Sequence, residues 1–290
     1  MSEGPGSMMA GPEAAPDADR AREEGFWPQL VRAVDRLWAM PLRGAEIAGE
    51  HMVLLGQAVF WLFRRPFRTH VFFEAAEFIG VQSVGIVSLI SLFVGMVFAL
   101  QLVSALRQFG GDQFVGATLG IALTRELAPV FTTIVIAARA GAGMATELGS
   151  MRITEQIDAL ATLAVNPVQY LVTPRVLAAT IMAPLLAMLF IFVAMFGGYA
   201  VAVWLLGVDR GLFIERARWL VDYQDLLQGI IKATIFGCAL STISCAQGFY
   251  ASGGAKGVGI GTTRAVVGSF VTILVLDYFL TDIILILQHK

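Results

Sequence analysis

Arg125 and Glu126 are the residues whose chemistry most needs a partner. They lie in the run Phe114–Ala138, which is otherwise without charge. A charged side chain in such a run costs a few kcal/mol in a bilayer, or more, unless it is paired or faces a cavity. Neighbours in sequence point about 100° apart on a helix, so the two cannot satisfy each other. Each therefore needs a counter-group on another helix, on a second subunit, in water or on a ligand head group. Asp277, beside Tyr278 in the late apolar run, is expected at similar depth and is read as the counter-charge of Arg125. Such groups could form structural ion pairs. They could also form a proton relay of Arg125, Glu126 and Asp277 in an ion-coupled carrier or channel.

Other chemistries find little support. Cys238 and Cys245 are seven apart in an apolar run, on one helix face, and read as small packing residues. The three histidines, His51, His70 and His289, are scattered, which argues against a metal site. Gly253–Thr263 is rich in glycine, but Lys256 is followed by Gly257, where a phosphate-binding loop needs Ser or Thr. It is read as a tight turn, so ATP-driven work needs a second polypeptide. No nucleophile, base and orienting group stand in a recognisable set, and catalysis by this chain is not expected. With a net charge of −2 and no basic patch carrying aromatic stacking residues, nucleic-acid binding is not expected either.

The elements that position these residues follow from composition. Of 290 residues, 57% are apolar and 14% charged, well away from an ordinary soluble domain. The chain reads as an all-α integral membrane protein with five transmembrane helices, preceded by amphipathic interfacial or re-entrant helices. Residues 1–25 read as a disordered tail and not a signal peptide. Residues 26–77 read as interfacial: Trp27, Leu30, Val31, Val34, Leu37 and Trp38 form one stripe. His51–Phe63 is an uncharged run of 13, too short to span, closed by a basic collar of Arg64, Arg65 and Arg68. Residues 78–290 form the membrane domain, with spans expected in Phe78–Leu106, Phe114–Ala138, Val176–Val208, Ala233–Ala255 and Ala265–Leu287. No internal repeat of the transporter type is visible.

Lys and Arg counts place the N-terminus in the cytoplasm. Twelve then fall on the inner side and six, Lys232 among them, on the outer side, with the C-terminus outside. A cytoplasmic helix is expected within 147–165. Ile153, Ile157, Leu160 and Ala164 share one face, Ser150 is a candidate N-cap, and Pro167 ends it. Its acidic residues Glu155 and Asp158 favour a protein partner over an anionic membrane surface. On the first span Phe98, Gln101, Leu102, Ala105 and Phe109 share a face. Every face of that helix is apolar, so spacing does not separate a binding wall from packing. Glycines at 85 and 95, among others, are expected to let helices approach closely.

Several linked motifs resemble the MlaE/YrbE permease family, membrane subunits of ABC transporters that work with MCE proteins. They are Arg125-Glu126-Leu127-Ala128-Pro129, Ala138-Arg139-Ala140-Gly141, Glu147-Leu148-Gly149-Ser150-Met151-Arg152, Thr154-Glu155-Gln156, Asn166-Pro167, Thr173-Pro174-Arg175, Thr263-Arg264 and Leu276 to Thr281. The likeness covers about residues 45–287. It implies a homodimer in the bacterial inner membrane, with the N-terminus cytoplasmic and the C-terminus periplasmic. It implies a cytoplasmic ABC ATPase, which binds the ATP and Mg, docked on the coupling helix; the residues to test there are Glu147, Arg152, Glu155, Gln156 and Asp158. It also implies a periplasmic MCE-domain partner and a phospholipid cavity between subunits. The cavity wall maps to Phe98, Gln101, Ala105, Phe109 and Leu127, with Leu102 on the same face and Arg125 and Glu126 nearby.

Overall fold

The computed structural model describes residues 46, 49–62, 64 and 68–288. The expected stripe at 26–40, the tail and the last two residues lie outside the described residues. The chain divides into two units, Met1–Glu50 and His51–Lys290. In the first, the described residues 46, 49 and 50 are helical and exposed. The second contains the membrane body.

In that body residues 51–62 are helical. Twelve residues make about 18 Å of helix, too short to cross a bilayer. Leu54, Ala58 and Trp61, spaced i, i+4, i+7, pack into the core, while Met52, Val53, Val59 and Phe60 stay exposed. One apolar face is thus used for packing and the other is left for lipid.

Five helical segments are long and apolar enough to cross a membrane: Thr69–Arg107, Asp112–Ile153, Val168–Leu205, Tyr223–Phe249 and Gly254–Leu287. Each contains most or all of one expected span, and this is a multi-pass, all-helical architecture. The first segment breaks at Gly80, where a 3-10 turn, Val81–Ser83, precedes the long helix Val84–Arg107. The second carries two π-turns, Leu123–Leu127 and Ala137–Gly141, each widening the helix by one residue.

The first and third spans touch backbone to backbone. A Cβ on Gly95 would lie 1.9 Å from the Ala194 carbonyl oxygen, so no other residue fits without moving a helix. Two apolar clusters fill the interior. One gathers Leu54, Ile79, Ile136, Leu148, Ile157 and Phe236 among others. The other gathers Val87, Ala99, Leu119, Leu123, Phe190 and Phe213 among others.

After the third span Arg210–Leu220 is a helix, capped by the Asp209 carboxylate, which accepts from the Leu212 amide at 2.8 Å. Three expectations are corrected. The fourth span starts at Tyr223, ten residues before Ala233, and so carries Lys232 inside it. The glycine-rich stretch is a turn only at Gly253 and Gly254, the two positive-φ residues, after which the fifth span is already helical. Ser150 caps nothing, because the helix of the second span runs on to Ile153. The reason is common to all three. Glycine and polar residues break exposed helices, but in a membrane body neighbouring helices and the need to satisfy backbone groups keep the helix continuous.

Candidate functional site

The π-turn Leu123–Leu127 is one of the points where the second and fourth spans meet closely. Gly229 of the fourth span faces the Thr124 carbonyl, and a Cβ there would lie 2.2 Å from that oxygen. This contact lies between Asp225 and Lys232, seven residues apart and so on one side of the fourth span. Arg125 and Glu126 leave the π-turn in different directions and meet these two residues separately.

Arg125 donates from Nε and Nη2 to Asp225 Oδ1, at 2.7 and 2.6 Å. The other Asp225 oxygen accepts from the Asp222 amide at 3.0 Å, as half of a capping box that starts the fourth span. Asp225 therefore both starts a helix and neutralises a cation of the second span. Its side chain is 3% exposed.

Glu126 meets Lys232. The Lys232 ammonium donates to Glu126 Oε2 at 2.7 Å, Asp277 Oδ1 at 2.9 Å and Thr281 Oγ at 2.7 Å. An ammonium has three N–H groups, and here all three are used. The Thr281 hydroxyl in turn donates to the Asp277 carbonyl at 2.7 Å. Lys232 is 0% exposed, whereas Glu126 and Asp277 are 39% and 21% exposed. The cation is sealed while its two carboxylates reach the open side. Lys232 is nine residues into its span, about 14 Å from the helix start, so the cluster lies well inside the apolar layer.

Asp277 is therefore not the counter-charge of Arg125: Asp225 is, and Asp277 serves Lys232. The uncharged run begins at Ala233, which places Lys232 and Asp225 outside the expected span, whereas the helix starts at Tyr223. The i, i+7 spacing of Asp225 and Lys232 about Gly229 would have revealed a helix continuing upstream.

The proposed wall residues separate. Phe98, Leu102 and Leu127 are half-buried against one core cluster. Gln101, Ala105 and Phe109 are exposed, Phe109 at 86% in the turn after the first span. Within one chain they form an open surface and enclose no cavity among the described residues.

At the other end, the second span stops at Ile153 and restarts as a short helix, Gln156–Thr162. The hinge residue Glu155 has φ 59°, a left-handed conformation. Ile157 is buried and Leu160 packs beside it, but Ile153 and Ala164 are exposed, so the expected four-residue face is only half used. Glu155, Gln156 and Asp158 stay exposed. Arg152 binds Asp158 at 2.6 Å, and Arg175 binds Glu147 at 2.7 Å, tying the third span to the second.

Arg139 is a further cation within the second span. It donates to the Phe78 carbonyl at 2.7 Å, to Ser83 Oγ at 3.0 Å and to Gln82 Oε1. These groups flank the break at Gly80, so the guanidinium satisfies a carbonyl that the interrupted helix leaves free. Among the described residues no group of three or more His, Cys, Asp or Glu is placed to hold a metal.

A five-span helical body, with ionic groups paired between spans and a short exposed helix between its second and third spans, has the build of a membrane transport subunit. Residues 72–283 match the family described as Permease MlaE, and the chain belongs to that family. A probable ABC transporter permease protein of Rickettsia prowazekii is 36% identical over 255 residues, 84% of this chain and 98% of that one. The intermembrane phospholipid transport system permease protein MlaE of Haemophilus influenzae is 36% identical over 237 residues, covering 79% and 91%. The chloroplastic protein trigalactosyldiacylglycerol 1 of Arabidopsis thaliana is 36% identical over 230 residues, covering 79% and 66%. The chain is thus an ABC transporter permease, a subunit whose work depends on an ATPase.

Proposed function

We propose that this permease moves phospholipid between the inner membrane and a periplasmic MCE-domain partner, as a homodimer driven by a cytoplasmic ATPase. The supporting observation is the Lys232–Glu126–Asp277 cluster, with its carboxylates half open and Leu127 of the adjoining π-turn sharing a core with Phe98 and Leu102. In this reading, a second copy closes the open wall of Phe98, Gln101, Leu102, Ala105, Phe109 and Leu127. Acyl chains are held there by burial, worth about 25 cal/mol per Å². The head group sits near Arg125 and Glu126.

Glu147, Arg152, Glu155, Gln156 and Asp158 receive the ATPase, the acidic ones offering charge to a basic groove. The N-terminus lies in the cytoplasm and the C-terminus in the periplasm. Burial of Lys232 removes a cation from the outer count, which increases the inner excess. The relative MlaE carries intermembrane phospholipid transport in its name, in line with this cargo.

The test is ATP-dependent transfer of labelled phospholipid by the complete complex in proteoliposomes. Ala105→Trp should abolish lipid retention and transfer while the ATPase still co-purifies. Unchanged lipid content would remove Ala105 from the wall. Transport by the chain alone, down an ion gradient and without ATPase, would instead establish the relay of Arg125, Glu126 and Asp277.

A further inference from the structure

A second polar feature lies at the end of the bundle away from the ionic cluster. A pocket of about 170 Å³ opens between helix 51–62 and the start of the third span, lined by Trp61, Arg68, Asn166, Gln169, Tyr170 and Thr173 among others. The Arg68 guanidinium lies 4.5 Å from the Tyr170 ring centre. Beside it, the Arg64 guanidinium lies 4.4 Å from the Phe60 ring centre. Arg107, Arg125, Arg152 and Arg175 each meet a carboxylate; among the described residues Arg64 and Arg68, like Arg139, Arg210, Arg216, Arg218 and Arg264, meet none.

Thr173 and Gln169 spend donors on the Ala58 and Arg64 carbonyls, and Asn166 keeps one for a ligand. The Asn166 side-chain oxygen accepts from the Val168 and Gln169 amides, at 3.0 and 3.2 Å, which leaves its amide nitrogen to donate. Gln169 Nε2 donates to the Arg64 carbonyl at 3.4 Å, tying Arg64 to the start of the third span.

Location and size narrow the ligand. Arg68 immediately precedes the first span, and the pocket's far side is the first turn of the third. Tryptophan, tyrosine and arginine at the ends of spans mark head-group depth. A pocket of about 170 Å³ is small beside a whole phospholipid. That suits a phosphate with its ester oxygens and excludes a whole lipid. Basic pockets at this level are suited to anionic head groups.

We propose that this pocket binds the phosphate of an anionic phospholipid, held by the Arg68 guanidinium and the Asn166 amide while the acyl chains stay in the bilayer. The bound lipid is a resident ligand and not cargo, since the pocket shares no residue with the Phe98–Leu127 wall. It joins helix 51–62 to the chain that follows the short helix Gln156–Thr162.

Native mass spectrometry of the full-length chain in detergent tests this, with phosphatidylglycerol and phosphatidylcholine added in turn. Wild type should retain phosphatidylglycerol about fivefold better, the scale of one interfacial arginine. Arg68→Gln should erase the preference, while Arg210→Gln, a basic residue outside the pocket, should keep it. Tyr170→Leu keeps the charge but removes its aromatic seat, and serves if Arg68→Gln does not survive purification. A preference that persists in both pocket variants overturns the proposal. So does displacement of the lipid by millimolar inorganic phosphate, which would make the site one for free phosphate. Ala105→Trp should keep the preference even if it loses cargo, so failure of the transport reading and failure of this one are distinguishable.

Discussion

Lys232 has three N–H groups, three acceptors and no exposed surface, so its loss strips two carboxylates of their shared cation. Lys232→Met should leave Glu126 and Asp277 facing each other uncompensated and lower stability by about 3–5 kcal/mol. Adding Glu126→Gln and Asp277→Asn should restore much of that, because replacing a whole buried ionic set by neutral groups is often tolerated. Thermal unfolding of the detergent-purified variants measures both. A triple variant no more stable than Lys232→Met would show that the charges are not the source of the loss. Gly229→Ala belongs to the same scale. Its methyl would meet the Thr124 carbonyl oxygen, part of a backbone held in a π-turn, so about 1–3 kcal/mol should be lost. Gly85→Ala, with nothing within 4 Å of the new methyl, should be near neutral in the same assay.

Among the elements, the hinge between the second span and the short helix carries the sharpest expectation. Glu155 holds a left-handed backbone, which costs a residue with a Cβ about 1–2 kcal/mol and costs glycine almost nothing. Glu155→Gly should therefore leave stability unchanged or slightly raised. It also removes one carboxylate from the exposed face proposed to receive the ATPase. Charge reversal, Glu155→Lys with Asp158→Lys, should release the ATPase altogether, with some loss of the Arg152–Asp158 bridge. Co-purification with the ATPase reads both variants. Intact binding by the double reversal would place the docking surface elsewhere. Arg139 shows the same economy between elements: one side chain of the second span closes the break in the first.

For the whole molecule, the fifth span is the least covered. Val267, Val271, Leu274, Val275, Phe279 and Ile283 are each about half or more exposed, as are Leu89, Phe93 and Val97 of the first span. A lipid bilayer tolerates such faces, but the open wall of the proposed site needs a second copy to become a cavity. The chain should therefore run as a dimer, twice 31.2 kDa, in native mass spectrometry from mild detergent. In Arg68→Gln, which lacks the resident lipid of the Arg68 pocket, bound phospholipid should accompany the dimer and be absent from any monomer. Lipid carried equally by monomers would show that one chain encloses its cargo alone.

The amino-acid sequence by itself determined the five spans, the all-helical class and the family, since burial in lipid writes long uncharged runs and the motifs at 125–175 are local. It also marked Arg125, Glu126 and Asp277 as groups in need of partners, because charge in an apolar run is costly wherever it lies. Which partner each found was decided by the tertiary structure. The π-turn at Leu123–Leu127 sets the directions of Arg125 and Glu126, Gly229 brings the fourth span against it, and only that approach puts Asp225 beside one and Lys232 beside the other. Helix direction and interhelical distance are properties of packing between segments a hundred residues apart, and no local pattern encodes them.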